Sequence, residues 1–235
     1  MGVKEFSSWN IRQEGSSVQI EPYRKYFFIC EGANTETWYF KKLIERRKAL
    51  NIHPLIDIRF LEKTDDTRDI SYPKNLIDFA EKQKGSAEIS FDKERDRMVV
   101  VFDADVFESK VSDYNKLVCD AEKLGNILGV TNPSFELFLL LHYEGSLEDK
   151  ITPNELRIIR NEKEGNQTPV YWLLHELAEI NCKKNPEIGE LATRVEIAIE
   201  QEKYINHDIH SCRGKLTSNI GHIIDTIRQD NPAIP

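Results

Sequence analysis

Acidic side chains follow two apolar segments of this chain, and their types and spacing suit metal chemistry. Glu31 comes directly after the apolar residues 27–30, and Asp103 and Asp105 come after the apolar residues 98–102. If both segments are neighbouring strands of a parallel sheet, their carboxyl ends share the edge at which such sheets bind ligands. Carboxylate oxygens suit Mg²⁺ or Mn²⁺, and no His or Cys accompanies them to favour zinc. The pattern indicates a divalent-metal site, with solvated loop acids as the plain alternative.

The elements that would position these acids alternate along residues 26–143. The pattern predicts strands at 26–30, 55–60, 97–105 and 126–133, and helices at 34–50, 73–85, 113–124 and 134–145. Alternation with short links predicts an α/β fold in which helices sandwich a parallel sheet. The unbroken apolar run at 98–102 is typical of a strand covered on both faces.

Three regions are expected from this pattern. Residues 1–22 are predicted to be a flexible N-terminal arm, residues 23–145 the α/β core, and residues 146–235 a mainly helical region packed on that core. No strand is predicted after about residue 150. The apolar faces of the helices after residue 170 either close the core or form a dimer, so a homo-oligomer stays open.

Composition and motifs exclude several classes of function. The chain has 235 residues and a net charge of −8, so it does not hold nucleic acid by overall charge, although metal-binding carboxylates would themselves add negative charge. No apolar run approaches the roughly 20 residues that cross a bilayer, and no hydrophobic leader is evident. The four cysteines form no C-x-x-C pair, which favours reduced thiols and a cytoplasmic location. No P-loop is present, so we expect no ATP hydrolysis by this chain.

Four further residues are candidates for supporting roles at the acidic edge. Gly32, after Glu31, would let backbone and ligand approach closely, and Glu36 suits the first turn of the next helix. Asn132 either shapes the turn before a proline or faces the same edge. Glu136 is either favoured by a helix N-terminus or supplies another ligand, and both interpretations stay open.

Polar residues near the C-terminus form a second candidate group. His207, His210 and Cys212 have a spacing that could hold a metal, but without a second matched pair a polar loop is the preferred interpretation. Arg213 and Lys215 are predicted to grip the backbone of a nucleic acid if they lie beside the metal site.

Four motifs together carry a family resemblance. They are ICEGANTETWYFKKL at 29–43, VVVFDAD at 99–105, TNPSFELFLLLHY at 131–143 and KLTSNIGHIID at 215–225. A first strand ending in Glu and a later strand ending in D-x-D resemble the Toprim domain of topoisomerases, primases and related nucleases. Within that group the motifs resemble the RloB family more closely. Two departures stand out: Ala33-Asn34 replaces an expected Glu-Lys pair, which removes a positive charge, and Phe138 replaces an expected Trp.

The resemblance implies roles for the acidic residues and a setting for the chain. Asp103 and Asp105 would hold Mg²⁺ or Mn²⁺, and Glu31 would be a further ligand or the general acid/base in phosphodiester hydrolysis of DNA or RNA. The expected setting is bacterial phage defence of the abortive-infection type, with an AAA-type ATPase encoded nearby as partner. The alternative is a non-catalytic Toprim-like sensor or adaptor that binds the ATPase or nucleic acid.

Overall fold

The computed structural model describes residues 2–9, 21–107 and 111–232, which form a mixed α/β fold around one six-stranded sheet. The strands are β1 (Val3–Ser7), β2 (Arg24–Cys30), β3 (Ile56–Lys63), β4 (Arg97–Asp103), β5 (Asn126–Asn132) and β6 (Thr217–Ser218). The α-helices in these ranges are α1 (Thr35–Glu45), α2 (Pro73–Lys84), α3 (Val111–Lys123), α4 (Phe135–Leu140), α5 (Glu155–Arg160), α6 (Pro169–Ala178), α7 (Val195–Glu202) and α8 (Ile220–Gln229).

The sheet has the strand order β1-β3-β2-β4-β5-β6. The four central strands, β3, β2, β4 and β5, run parallel, and β1 and β6 pair antiparallel at the two edges. The predicted parallel sheet is therefore present as the centre of a larger mixed sheet. Because β2 lies between β3 and β4, the ends of the two acid-bearing strands are adjacent.

Helices cover both faces of the sheet. Successive side chains of β2 point to opposite faces, so Phe28 and Cys30 join one apolar core and Phe27 and Ile29 join another. We call the first face the α1 side, because it packs against α1 together with α4, α6, α7 and α8. The second is the α2 side, which is covered by α2 and α3.

The N-terminal segment departs from the prediction of a flexible arm. Residues Val3–Ser7 form β1, which pairs with β3 along its whole length, so the prediction is wrong for this part. The Ser7 hydroxyl donates to the buried carboxylate of Asp57, and Glu5 forms an ion pair with Arg59 at 2.9 Å. These partners are distant in sequence, and local pattern therefore gives no signal for the strand. Residues 10–20 of the predicted arm lie outside the described residues.

The C-terminal region returns to the sheet. Its two-residue strand β6 contradicts the prediction that no strand follows residue 150. The Asn219 side chain extends the pairing, because its Oδ1 accepts from the Val130 amide at 2.7 Å and its Nδ2 donates to the Leu128 carbonyl at 2.8 Å. The helical part of the prediction holds for α5 to α8, although Pro186–Arg194 is a 3₁₀ helix. Apolar residues of these helices, including Leu174 and Ile224, are buried in the α1-side core.

Helix α4 is shorter than the predicted 134–145 helix, since it covers only Phe135–Leu140. After it, the buried His142 ring sits between the Tyr39 hydroxyl, 2.9 Å from Nε2, and the Phe138 carbonyl, 3.0 Å from Nδ1. Burial lowers the pKa of His142 to about 4, so this ring is a neutral core group. None of the helices in the described ranges has the length and apolar character that crossing a bilayer requires.

Candidate functional site

Glu31 and Asp103 meet at the carboxyl ends of β2 and β4. The parallel register pairs Cys30 with Val101, and the Glu31 amide continues it by donating to the Val101 carbonyl at 2.9 Å. The Asp103 amide then donates to Glu31 Oε2 at 3.2 Å. The two acids that the sequence placed at separate strand ends are thus joined by a direct hydrogen bond.

Asp103 is held from the other side by β5. The two strands pair Asp103 with Thr131, whose hydroxyl donates to Asp103 Oδ1 at 2.6 Å. Burial is the main reason that the pKa of Asp103 lies well above its usual range, and the charges of Glu36 and Glu136 raise it further. Among the described residues, Asp103 forms no ion pair that would offset its charge.

Gly32 and Glu36 are packed against each other beside this pair. A side chain at position 32 would place its Cβ 2.0 Å from Oε2 and 2.2 Å from Oε1 of Glu36, so the glycine leaves room for that carboxylate. Burial raises the pKa of Glu36, and the charge of Glu136 adds to the shift. Gly32 and Glu36, two of the four residues that the sequence suggested as supporting groups, therefore lie at this edge of the sheet.

Substituting Gly32 tests whether the position of Glu36 matters. We expect Gly32→Ala to displace the Glu36 carboxylate and to weaken Mn²⁺ binding at pH 8 about tenfold, as changes of supporting groups commonly do. Stability should change by less than about 1 kcal/mol, because the displaced atoms are the mobile end of a side chain. Calorimetric titration and urea unfolding measure the two effects. Gly85→Ala is the matched control, since a Cβ there meets only one atom, at 3.6 Å; equal Mn²⁺ affinity of both variants would contradict the expectation.

Glu136 reaches the same group of acids from the first turn of α4. Its side chain is buried, it accepts a hydrogen bond from the Ser134 hydroxyl at 2.6 Å, and it forms an ion pair with Lys183 at 3.0 Å. The charge of Glu136 is the largest cause of a raised pKa at Lys183. Since Glu136 acts on Asp103, Glu36 and Lys183 together, it belongs to the acidic group as well as to the helix start.

Glu31 is poised to exchange a proton near neutral pH. Its pKa is raised to about 7, chiefly by burial and then by the charges of Glu36 and Asp105. Lys63, the last residue of β3, fixes this turn by donating to the Glu31 carbonyl at 2.5 Å and to the Ile70 carbonyl at 2.8 Å. Burial lowers the pKa of Lys63. The ammonium group thus orients the Glu31 backbone.

Asp105 lies at the margin of the site, in the short 3₁₀ turn Asp105–Phe107. Its Oδ2 accepts from the Asn161 amide at 3.4 Å. Its charge contributes to the raised pKa of Glu31, whereas the acids that act on Asp103 are Glu36, Glu136 and Glu31. Across the described ranges, no three His, Cys, Asp or Glu side chains stand together as a ready set of metal ligands.

The second candidate group lies next to the end of β5. Asn132 is buried, and its Nδ2 donates to the carbonyls of Cys212 and Lys215, at 3.1 and 3.0 Å. Its side chain therefore ties down the turn that carries Arg213 and Lys215. The His210 ring lies 3.2 Å from the Glu122 carboxylate, and within the described residues His207 and Cys212 belong to no group of three potential metal ligands.

A comparison with family models identifies the family of the chain. Residues 26–227 match the family described as RloB-like protein. The chain belongs to the RloB-like family. Membership confirms the resemblance that the four motifs indicated, and the matched range contains every residue proposed for the site. Searches among curated proteins and solved structures found no significant match.

Sequence reasoning missed several groups that organise the site of this RloB-like chain. Lys63 and Thr131 end or nearly end β3 and β5, so the strand-end rule that selected Glu31 and Asp103 would also have selected them. Lys183, on the loop after α6, gives no such signal, because its role depends on contact with Glu136 from a distant segment.

Proposed function

We propose that this RloB-like protein is a divalent-metal-dependent nuclease that hydrolyses phosphodiester bonds of DNA or RNA. The observation that carries the proposal is the group of four carboxylates at one edge of the parallel strands: Glu31, Glu36, Asp103 and Glu136. The pKa of Glu31 is raised to about 7 and that of Asp103 lies well above its usual range, chiefly because both are buried and in part because neighbouring carboxylates repel one another. A bound cation would relieve that repulsion. A Toprim-type relationship is part of the proposal and is supported by the acids at the ends of β2 and β4.

The chemistry of these side chains fits Mg²⁺ or Mn²⁺. Asp103 would hold the ion, and Glu31 would be either a further ligand or the general acid/base, with Glu36, Asp105 and Glu136 within the same acidic environment. When bound, such an ion polarises phosphoryl oxygens and orients the attacking or leaving oxygen. Because no three potential ligands stand together among the described residues, side chains such as Glu36 would have to move for the acids to share one ion.

The chain's own groups have assignable roles in this proposal. In the protein without a bound ion the pKa of Glu31 is about 7, so where Glu31 is not itself a ligand it can accept or deliver a proton at neutral pH, which is what a general acid/base requires. Thr131 orients the Asp103 carboxylate, and Lys63 orients the turn that carries Glu31. Lys183 balances the charge of Glu136 and so limits the repulsion inside the site.

The cellular role is proposed on the family resemblance. We infer action in the bacterial cytoplasm, in phage defence of the abortive-infection type, together with an AAA-type ATPase. The ATPase would supply the nucleotide hydrolysis for which this chain has no P-loop motif.

Incubation with a panel of nucleic acids tests the catalytic proposal. The full chain is mixed with Mn²⁺ or Mg²⁺ and plasmid, single-stranded DNA or total RNA, with and without the ATPase. We expect metal-dependent cleavage of at least one substrate, abolished by EDTA. Absence of cleavage under every condition, or cleavage that persists in EDTA, would overturn the proposal.

A non-catalytic sensor or adaptor is the second candidate. The observation that favours it is again the lack, among the described residues, of three side chains already gathered as metal ligands. Calorimetric titration at pH 8 separates the two functions. Mn²⁺ binding that Asp103→Asn weakens supports the nuclease, whereas no detectable binding supports the adaptor.

A further inference from the structure

A cavity opens beside the acidic group, and neither the family match nor the proposed chemistry accounts for it. Its volume is about 190 Å³. Its lining includes Ala104, Phe107, Tyr114, Asn115, Arg213 and Lys215. Because Ala104 directly follows Asp103, the cavity begins one residue from the acid at the end of β4.

The cavity and the carboxylates lie on opposite sides of the sheet edge. Val99 and Val101 belong to the α1-side core, and Asp103 continues their alternation. Phe102 and Ala104 belong to the α2-side core. A ligand in the cavity is therefore next to the acidic group. The end of β4 lies between that ligand and the carboxylates, so an anionic part of the ligand does not face them directly.

A clamped turn presents two cations at this cavity. The Lys215 amide donates to the Cys212 carbonyl at 3.0 Å, and Gly214 supplies the positive φ, +65°, that the turn requires. The buried Asn132 amide donates to both ends of the turn. Arg213 is exposed and forms no ion pair or hydrogen bond within the described residues. Lys215 Nζ donates to the Ser211 hydroxyl at 3.0 Å, and its charge also acts on the nearby Asp208 carboxylate. The Arg213 charge is therefore available to an anion, and Lys215 adds a positive charge that Asp208 offsets in part.

Part of the cavity lining is aromatic. Phe107 and Tyr114 have ring centroids 5.4 Å apart, and Tyr72 extends the row with its ring 5.9 Å from Phe107. Asn115 is exposed at the same cavity and offers amide groups for hydrogen bonding. A volume of about 190 Å³ is below the roughly 300–1,000 Å³ of sites for whole drug-sized ligands, so one ring-sized group fits.

We propose that this cavity binds one nucleotide unit of a single-stranded nucleic acid. The base lies against the wall of Phe107 and Tyr114, and its phosphate contacts Arg213 and Lys215. Apolar aromatic walls beside cations are the combination that single-stranded nucleic acids bind. The neighbouring phosphodiester would then pass around the end of β4 to Asp103. The proposal rests on the nuclease function and adds a substrate subsite to it.

Binding in EDTA tests the subsite separately from cleavage. Fluorescence anisotropy of the full chain is measured with labelled single-stranded DNA and RNA oligonucleotides, and nucleoside monophosphates serve as competitors. We expect Arg213→Gln to weaken oligonucleotide binding about tenfold and to lower the salt dependence of log Kd by roughly 0.7, the contribution of one phosphate contact on a single strand. Asn115→Glu, at an exposed position, should weaken binding similarly by repelling the phosphate. If the nucleoside monophosphates bind and the oligonucleotides do not, the cavity is a site for free nucleotides, and the proposal of a single-stranded nucleic acid is overturned.

Lys82→Gln is the matched control, because this exposed residue of the last turn of α2 forms no ion pair in the described residues and its loss changes the net charge equally. A poly-glutamate peptide controls for charge alone. The proposal is overturned if no nucleotide or oligonucleotide binds, if Arg213→Gln binds like the Lys82 variant, or if the peptide binds as tightly as the oligonucleotides. Binding through Arg213 without any cleavage would instead contradict the nuclease function and leave the subsite standing.

Discussion

Asp103→Asn should abolish metal-dependent cleavage and, at the same time, make the protein more stable at pH 8. The loss should be at least about 100-fold, because metal-assisted charge stabilisation is worth several kcal/mol and every 1.36 kcal/mol is tenfold in rate. The gain in stability has a separate cause: burial and the charges of Glu36 and Glu136 disfavour the ionised form of Asp103, and an amide carries no charge. Cleavage assays and thermal unfolding in EDTA measure the two effects.

The pairing of these effects makes the prediction specific. If Asp103 had only a structural role, its substitution would lower activity by lowering stability, whereas we expect stability to rise. The control is Asp78→Asn, at an exposed position of α2, where neither quantity should change. Undiminished cleavage by Asp103→Asn would remove Asp103 from the catalytic group.

Glu31→Gln should stabilise the protein at pH 8 and not at pH 4. Glu31 has a pKa of about 7 in the fold against an ordinary value of 4.5, chiefly because it is buried. The folded state therefore binds its proton more tightly than the unfolded state does. The stability that this gives is complete below pH 4.5 and is lost as pH rises through 7. The difference in pKa corresponds to about 3 kcal/mol in the free energy of unfolding. Because Gln carries no charge, Glu31→Gln should recover that amount at pH 8.

Urea unfolding in EDTA at pH 4, 6 and 8 measures this profile. The free energy of unfolding of the unmodified protein should fall between pH 4.5 and 7, and the profile of Glu31→Gln should be flatter. Glu162→Gln, at an exposed position, should keep the original profile. If Glu31→Gln proved no more stable than the original protein at pH 8, ionisation of Glu31 would carry no cost and its role as a general acid/base near neutral pH would lose its support.

Much of the fold followed from local pattern. Unbroken apolar runs and turn residues placed the four central strands and helices α1 to α3 within a few residues, because each is a continuous segment with its own periodicity. Two edge strands escaped prediction for one physical reason. β1 and β6 are polar or very short, and their stability comes from distant partners such as Asp57 for Ser7 and the β5 backbone for Asn219.

The site divides in a similar way. Strand ends in a parallel sheet share an edge, and that rule was enough to select Glu31 and Asp103, which are in contact. The rule is silent about which acids from helices approach them. Glu36 and Glu136 reach Asp103 because α1 and α4 pack on the same side of the sheet, and Asp105 turns toward Asn161 instead.

The sequence by itself determined the α/β alternation, the RloB-like membership and the pair of acids at adjacent strand ends, since all three are properties of continuous segments. Only the tertiary structure decided which other side chains surround these acids. Packing buried them together, which raised the pKa values of Glu31 and Asp103. Packing also brought the Asn132-clamped turn to the neighbouring cavity, joining residues about eighty positions apart. Burial and charge proximity depend on distances in space, and spacing along a single chain does not record them.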